Sequence, residues 1–237
     1  MTRYADDLSY VHHTGFADLA RGAARFVVDL IGPERRRVVD LGCGSGIVLR
    51  ALTDAGHEAI GVDLSPAMLA LAKRTAPRAR LLQGSLYRVP LPSTDLILAI
   101  GEPLNYLEPD ARPPALAAFF RKVARALPRG GRFLFDVIVD APGRPLSRRA
   151  WAAGEDWAVL VDTTEDAART RLTRDVTSFV RRGRRWRRTR ELHHVRVLRT
   201  VDLRRLLRDA GFAVRVRTSY GEHPLAERRR AFLCTKR

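Results

Sequence analysis

The segment from Val38 to Asp63 constrains the fold more than any other part of the sequence. A short apolar run, Arg37 to Leu41, leads into a loop with three glycines, and helical periodicity follows from Ile47 to Ala55. A second apolar run, Ala59 to Val62, ends at the acid Asp63. This order predicts a strand, a glycine loop, a helix and a second strand, which together form one unit of a parallel sheet.

The same alternation continues along the chain. It predicts a helix from Pro66 to Thr75, a strand from Ala79 to Leu82, a strand from Asp95 to Ile100, a helix from Pro114 to Leu127 and a strand from Arg132 to Val139. Near the end, a helix from Asp202 to Ala210 precedes two strands, Phe212 to Ser219 and Arg230 to Thr235, that could pair as a hairpin. The predicted fold is therefore α/β: a Rossmann-like, mostly parallel sheet with a C-terminal antiparallel hairpin.

Two segments depart from this alternation. Between Trp151 and Leu198 the sequence shows β-type runs without helices between them, at Trp157 to Asp162, Leu172 to Val180 and Trp186 to Leu198. Asp7 to Ile31 has helical periodicity with a break near Gly15. We therefore expect an N-terminal helical lid over 1–35, a cofactor-binding domain over 36–145 and 199–237, and an inserted antiparallel β subdomain over 146–198 that roofs the substrate.

The glycine loop predicts a ligand site. Missing side chains at Gly42, Gly44 and Gly46 let backbone amides and the start of a helix approach a ligand closely. Asp63 lies 23 residues after Asp40, where a carboxylate can accept both hydroxyls of an adenosine ribose. A dinucleotide site shares this logic, but Asp40 would repel a pyrophosphate and suits the cationic amino group of a methionine moiety. The loop therefore favours S-adenosylmethionine over NAD.

The stretches VVDLGCGSG and GVDLSPAML resemble motif I and the following ribose motif of the class I S-adenosylmethionine-dependent methyltransferases. The similarity extends from Val38 to about Val139. In that family the glycine loop contacts the methionine part and the acid after the second strand binds the ribose. The family usually has an acid after the third strand, for the adenine amine, where this sequence has Ser85. The expected cofactor residues are Asp40, Gly42, Cys43, Gly44, Gly46, Asp63, Leu64, Gly84, Ser85, Leu86 and Gly101.

The loop after the fourth predicted strand, Gly101 to Tyr106, is the expected reaction centre. Glu102 is the first candidate for orienting the substrate or accepting its proton, and a solvated acid or helix cap is the competing interpretation. Asn105 and Tyr106 are expected beside it on the substrate side. Methyltransferases of adenine bases and glutamine amides generally carry an Asn/Asp-Pro-Pro-aromatic motif here, which Gly101 to Leu104 does not match. A nucleobase amine is therefore disfavoured.

The lid and the insertion supply the other expected substrate-side residues, which are Tyr10, His13, Phe16, Trp157 and Glu191. His193 is a second candidate for the general base or for substrate orientation. In a strand, His193 and His194 point to opposite faces, so they cannot chelate one metal ion, and we expect no metal site. An antiparallel insertion of this kind resembles the roof of small-molecule and amino-sugar methyltransferases.

The net charge of +17 raises a nucleic-acid alternative, because clustered basic residues attract phosphate. All but three of the 43 basic residues are arginines scattered through the chain, and the run from Arg181 to Arg190 also suits a solvated strand edge. The first residues lack the pattern of a signal peptide and no long apolar stretch follows, so we expect a cytoplasmic monomer or homodimer without membrane contact.

The predicted function is methyl transfer from S-adenosylmethionine to O, N or C of a small metabolite. Two alternatives stay open at this point. One is an RNA or protein methyltransferase that uses the arginine-rich hairpin. The other is a cofactor-binding regulator without turnover.

Overall fold

The computed structural model describes residues 4–106 and 115–237. Residues 1–3 of the predicted lid, and Pro114, the predicted start of a helix, lie outside this range. The first half of the chain contains α1 (Asp6–Gly15), α2 (Asp18–Ile31), β1 (Arg37–Leu41), α3 (Ile47–Asp54), β2 (Glu58–Asp63), α4 (Pro66–Thr75), β3 (Arg80–Gln83), β4 (Leu96–Ala99) and a 3-10 turn at Pro103–Asn105. The second half contains α5 (Ala115–Ala126), β5 (Arg132–Ile138), β6 (Ser147–Ala153), β7 (Trp157–Glu165), β8 (Arg171–Arg182), β9 (Arg185–Arg196), α6 (Thr200–Asp209), β10 (Phe212–Arg217), β11 (Ser219–Tyr220), β12 (His223–Pro224) and β13 (Arg229–Lys236).

Seven strands form the main sheet in the order β10-β13-β5-β4-β1-β2-β3. Strands β1 to β5 are parallel, and β13 runs antiparallel to both of its neighbours, β5 and β10. The predicted mostly parallel sheet with a C-terminal antiparallel hairpin is thus confirmed. The carboxyl ends of β1, β2 and β4 meet at one edge, where open α/β sheets bind ligands.

Successive side chains of each strand point to opposite faces of this sheet, and they are apolar on both faces. Helices therefore cover both faces. On one face, Val39 and Ile97 belong to the same buried cluster as Phe120 of α5 and Leu207 of α6. On the other face, side chains of β1 and β4 pack with α2 and α3 in a second cluster, formed by residues such as Val38, Leu98, Val27 and Leu49. This sandwich holds the loops at the carboxyl edge in fixed positions.

The inserted sheet has four strands in the order β6-β7-β8-β9, all antiparallel. Three of them match the predicted β runs. The sequence prediction missed β6, an edge strand whose residues are mostly exposed and include adjacent arginines, so it carries little alternating apolar signal. The inward face of the sheet packs on α1, where Leu8 and Val11 share a buried cluster with Trp157, Val159 and Val176.

Arginines of the β8–β9 hairpin also bind α1. The carboxylate of Asp7 is buried, and it accepts one hydrogen bond from Arg182 and two from Arg187, at 2.6 to 2.7 Å. A third arginine of the run, Arg190, binds Asp175 on the outer face. Part of the arginine-rich run therefore joins the insertion to the N-terminal helix. In the part of the chain that is described, no helix is long and apolar enough to cross a membrane.

Candidate active site

A cavity of about 770 Å³ opens at the carboxyl edge of the main sheet, beneath α1 and the inserted sheet. Its walls include residues of the glycine loop, the ends of β2 and β3, the loop after β4, α1 and the inward face of β7 to β9. Most of the predicted cofactor residues line it, namely Asp40, Gly42, Cys43, Gly44, Asp63, Leu64, Gly84, Ser85, Leu86 and Gly101. Gly46 does not line it, because it lies at the start of α3, where a Cβ would be 3.0 Å from Ala72.

The glycine loop folds tightly onto the end of β2. The amides of Gly42 and Cys43 both donate to the carbonyl of Val62, at 2.7 and 3.0 Å. Gly42 has a φ of 77°, and a Cβ on it would be 2.7 Å from the Cβ of Pro103. A side chain there would be strained and would also collide with the loop after β4. Glycine thus lets two loops that line the cavity approach one another.

Two carboxylates lie beside this loop. Asp63 accepts hydrogen bonds from the amides of Gly44 and Ser65, both at 2.8 Å, so its position is fixed. Asp40 is buried, and its Oδ1 has no hydrogen-bond partner among the described residues. Burial, together with the nearby charge of Asp63, raises the pKa of Asp40 to about 7. A carboxylate that lines the cavity and has one buried oxygen without a donor fits the ammonium group of a methionine moiety.

Glu102 also faces the cavity, but it is already paired. Its carboxylate binds Arg174 of β8 and Arg229 of β13, the latter at 2.7 Å. Burial alone would raise the pKa of Glu102, and the charges of Arg174 and Arg229 outweigh it and lower the pKa. A carboxylate held ionised by two arginines is a weak proton acceptor. The arrangement suits a structural or orienting role better than that of a general base.

Asp136 fixes the loop that carries Glu102. This fully buried acid of β5 accepts the amides of Gly101 and Glu102, at 2.9 and 3.0 Å, and the hydroxyl of Tyr220 at 2.7 Å. It also binds Arg229 at 2.6 Å. Asp136 is not among the site residues predicted from the sequence, although one acid within the apolar run of β5 is a usable signal for a buried, functional carboxylate.

The two arginines were missed for a different reason. Arg174 and Arg229 lie on strands far from Glu102 in sequence, in a chain whose basic residues are nearly all arginine. No local pattern separates these two from the arginines of the solvent-exposed surface. Only the fold shows which of them turn inward.

Ring side chains form the opposite wall of the cavity. The predicted substrate-side residues Tyr106 and Phe16 line it, as does His193, and Tyr4 and His12 lie beside them. The ring of His193 contacts the edges of Tyr4 and Tyr106, at centroid distances of 5.1 and 5.9 Å. Burial lowers the pKa of His12 to about 4, so this imidazole is uncharged at neutral pH. On this wall, His12 and the phenols of Tyr4 and Tyr106 are hydrogen-bonding groups that carry no full charge.

The remaining predicted substrate-side residues contact other parts of the protein. The hydroxyl of Tyr10 donates to Asp156 at 2.8 Å, and Nδ1 of His13 is 2.8 Å from the hydroxyl of Ser45. Trp157 packs so closely on α1 that a Cβ on Gly15 would be 2.4 Å from its ring. These contacts attach α1 to the inserted sheet and to the glycine loop.

Asn105 and Glu191 also lie behind the cavity wall. The Asn105 amide is fully buried, donates to the carbonyls of Ile138 and Arg196, and accepts the amide of Ile138 at 3.0 Å. Glu191 binds His193 and the backbone of the N-terminal segment.

His193 and His194 point to opposite faces of β9, as strand geometry requires. His193 is 2% exposed and faces the cavity, whereas His194 is exposed on the outer face. Within residues 4–106 and 115–237, no three His, Cys, Asp or Glu side chains are grouped so that they could hold a metal ion.

Comparison with known proteins identifies the fold and the family that part of the chain resembles. Among curated relatives, a putative methyltransferase of Bacillus subtilis, YqeM, is 27% identical over 210 residues, which is 84% of this chain and 83% of YqeM. The chain spans about half the length of the next two curated relatives that it matches, 47% and 52%.

Two solved structures align along the whole chain. The sugar N-methyltransferase KedS8 of Streptoalloteichus sp. has a TM-score of 0.75 at 23% identity, over 100% of this chain and 97% of that one. The S-adenosylmethionine-bound amino pentose methyltransferase CalS10 of Micromonospora echinaspora has a TM-score of 0.72 at 18% identity, over 100% and 99%. At such identities the likeness concerns the fold. Because the alignments cover 100% of this chain, they include the residues of the inserted sheet.

Residues 38–131 match the family model described as a methyltransferase domain. The matched segment contains the glycine loop, Asp40, Asp63 and the loop of Glu102, which together line the cavity. This segment of the chain is therefore similar to the methyltransferase domain family, and the whole chain shares the fold of solved methyltransferases.

Proposed function

We propose that this enzyme transfers a methyl group from S-adenosylmethionine to a nitrogen of a small polar metabolite of the amino-sugar class. The observation that carries the proposal is the position of His193. The inserted sheet brings its imidazole into the same cavity as Asp40 and Asp63, so a proton acceptor and the predicted cofactor carboxylates share one space. An acceptor bound between them would meet both.

The cofactor residues keep the roles that their geometry supports. Asp40 would bind the ammonium group, Asp63 the ribose hydroxyls, and the backbone of the glycine loop the methionine part. Gly84, Ser85 and Leu86 bound the cavity after β3, where the adenine is expected. When bound, S-adenosylmethionine supplies a methyl carbon activated by the adjoining sulfonium. The protein aligns the acceptor with that carbon and excludes water.

Nitrogen is favoured as the acceptor atom because of the groups on the opposite wall. An alkyl amine is protonated in water, and its lone pair becomes available only after a base removes one proton. His193 can accept that proton, whereas Glu102 is held by Arg174 and Arg229. The two arginines and the two acids that they bind, Glu102 and Asp136, balance in charge, so neither arginine is left to bind an anionic acceptor.

The size of the cavity supports a small acceptor. A volume of about 770 Å³ is within the range of pockets for small molecules, and the cofactor would occupy part of it. The sugar N-methyltransferase KedS8 and the amino pentose methyltransferase CalS10 align along the whole chain, and they support an amino sugar as the substrate class.

Two experiments test the proposal. Calorimetry with S-adenosylhomocysteine should give binding to the wild type and at least tenfold weaker binding to Asp63→Asn. Methyl transfer from labelled cofactor should then be measured on amino sugars, free and nucleotide-linked, and on the same sugars with a hydroxyl in place of the amine. Transfer to the amines alone supports the proposal. Transfer only to hydroxyls, or cofactor binding without transfer to any acceptor, would overturn it.

The net charge of +17 keeps RNA as a second candidate substrate. Arginines at the exposed end of the β8–β9 hairpin, such as Arg184 and Arg185, could contact phosphates. This alternative predicts RNA binding that weakens steeply with salt, and loss of RNA methylation when both residues are changed to Glu. Unchanged methylation of an amine by the same double variant would favour the small-molecule function.

A further inference from the structure

Glu191 makes three hydrogen bonds that connect the inserted sheet to the start of α1. Its carboxylate accepts the amide of Tyr4 at 2.8 Å and the amide of Ala5 at 3.0 Å. One of its oxygens also lies 2.9 Å from Nε2 of His193. Glu191 and His193 are two residues apart on β9, so they share one strand face. The carboxylate therefore contacts the N-terminal segment and the imidazole at once.

This contact determines which nitrogen of His193 carries hydrogen. An ionised carboxylate only accepts hydrogen bonds, so Nε2 must donate to Glu191. When the imidazole is uncharged, the lone pair is then on Nδ1. Among the described residues, no hydrogen bond to Nδ1 is present. The ring is held by the edges of Tyr4 and Tyr106, and its residue lines the cavity.

We propose that Glu191 is a positioning residue that holds His193 with Nδ1 available to the methyl acceptor, and that this pair is complete only when the N-terminal segment is seated on Glu191. The inference rests on the proposed function in one respect, that the acceptor carries an ionisable N–H. In the step that His193 performs, the N–H bond of the acceptor breaks, its electron pair stays on nitrogen, and the proton forms a bond to Nδ1. The charge of Glu191 stabilises the imidazolium until the proton passes to solvent.

Tyr4 links this pair to the cofactor site. Its amide binds Glu191, and its carbonyl accepts the hydroxyl of Ser65 at 2.7 Å. The amide of Ser65 in turn donates to Asp63, the predicted ribose ligand, at 2.8 Å. Tyr4 has a φ of 55°, which a non-glycine residue adopts only when its surroundings enforce it. One constrained residue thus connects the segment beside Asp63 to the pair formed by Glu191 and His193.

Other charged and titratable groups also face His193. Tyr4 lies above it on the N-terminal segment, Tyr106 lies beside it, and Arg174 is its register partner on β8. Arg174 is itself bound to Glu102. Glu191 is the acid whose carboxylate is hydrogen-bonded to the ring of His193. Removal of that carboxylate should therefore have a specific effect on His193.

The kinetic test uses Glu191→Gln, which keeps the shape and removes the charge. We expect kcat to fall about 10-fold to 100-fold, less than the full contribution of a general base because the imidazole itself is kept. The acidic limb of the pH–rate profile should move to lower pH, while the affinity for S-adenosylhomocysteine changes less than twofold. His193→Gln should lose at least as much activity, and the double variant should be no worse than His193→Gln. Glu34→Gln, a change in an exposed glutamate far from the cavity, is the matched control.

A purely structural Glu191 would give a different result: a lower melting temperature, weaker cofactor binding, an unmoved pH profile and additive losses in the double variant. That result would overturn the inference. Nitrogen NMR of labelled histidine in the S-adenosylhomocysteine complex tests the pair without any acceptor. We expect His193 to carry hydrogen on Nε2 in the wild type and to lose this preference in Glu191→Gln. An Nδ1–H form in the wild type would overturn the inference even if amines are methylated, and an Nε2–H form without amine transfer would refute only the proposed function.

Discussion

Asp40 and Asp63 lie on adjacent parallel strands, and their carboxylates share one wall of the cavity. Burial and the charge of Asp63 raise the pKa of Asp40 to about 7, whereas Asp63 is held by two backbone amides. The pair therefore offers one fixed acceptor for hydroxyls and one carboxylate whose charge depends on pH near neutrality. This difference suits a ligand with a ribose at one end and an ammonium group at the other.

Cofactor affinity should increase with pH because Asp40 must be ionised to bind an ammonium group. With a pKa of about 7, the carboxylate of Asp40 is roughly 10% ionised at pH 6 and roughly 90% ionised at pH 8. The Kd for the cofactor should therefore be about ninefold lower at pH 8 than at pH 6. Calorimetry with S-adenosylhomocysteine at both pH values measures this. Asp40→Asn should bind weakly at both. A wild-type Kd that is the same at pH 6 and pH 8 would contradict the assignment.

The same carboxyl should affect stability in the absence of cofactor. Its folded-state pKa lies above the ordinary value of 3.8, so its stabilising contribution is complete below about pH 4 and is lost as pH rises through about 7. Asp40→Asn has no such loss. The variant should therefore melt at a higher temperature than the wild type at pH 8, with a smaller difference at pH 5.5. Differential scanning calorimetry checks this, and a difference that does not change with pH would refute it.

Removal of the Glu102 charge should destabilise the fold more than it affects proton transfer. Glu102→Gln leaves the buried guanidinium groups of Arg174 and Arg229 partly unpaired, which costs about 3 to 5 kcal/mol for a broken buried pair. Urea unfolding measures the loss. If Glu102 were the general base instead, the variant would unfold like the wild type and lose only kcat.

Asn105 should behave as a structural residue. Asn105→Ala removes one hydrogen-bond partner each from the carbonyls of Ile138 and Arg196 and from the buried amide of Ile138, at a cost of about 2 to 4 kcal/mol. The fraction that remains folded should keep the wild-type KM for the acceptor. A raised KM without loss of stability would instead place Asn105 in the substrate site, as the sequence predicts.

The contact between α1 and the hairpin should depend on Arg187 more than on Arg182. Arg187 donates two hydrogen bonds to the buried Asp7 and Arg182 donates one, so Arg187→Ala should lower the melting temperature further than Arg182→Ala. Arg184→Ala, at the exposed turn, is the matched control. Equal melting temperatures for all three variants would show that the contact with Asp7 adds nothing to stability.

Local sequence is enough to specify the strands, helices and turns. The strand, the glycine loop, the helix and the acid at Asp63 are specified by residues close together in the chain, because hydrophobic period and backbone freedom act over a few residues. The parallel direction of the main strands followed from the alternation of strands and helices, and the opposite orientations of His193 and His194 followed from the period of a strand. The edge strand β6 lacked such a signal.

The tertiary structure alone decided which distant side chains meet. The pairing of Glu102 with Arg174 and Arg229, and the seating of Tyr4 on Glu191, join residues 72 to 187 positions apart. Nothing local distinguishes these arginines from the many on the surface, since their role comes from burial and from the strand register. The candidate cofactor segment could therefore be predicted from Val38 to Asp63, whereas the proposed acceptor site required the fold that brings β8, β9 and the N-terminal segment over that segment.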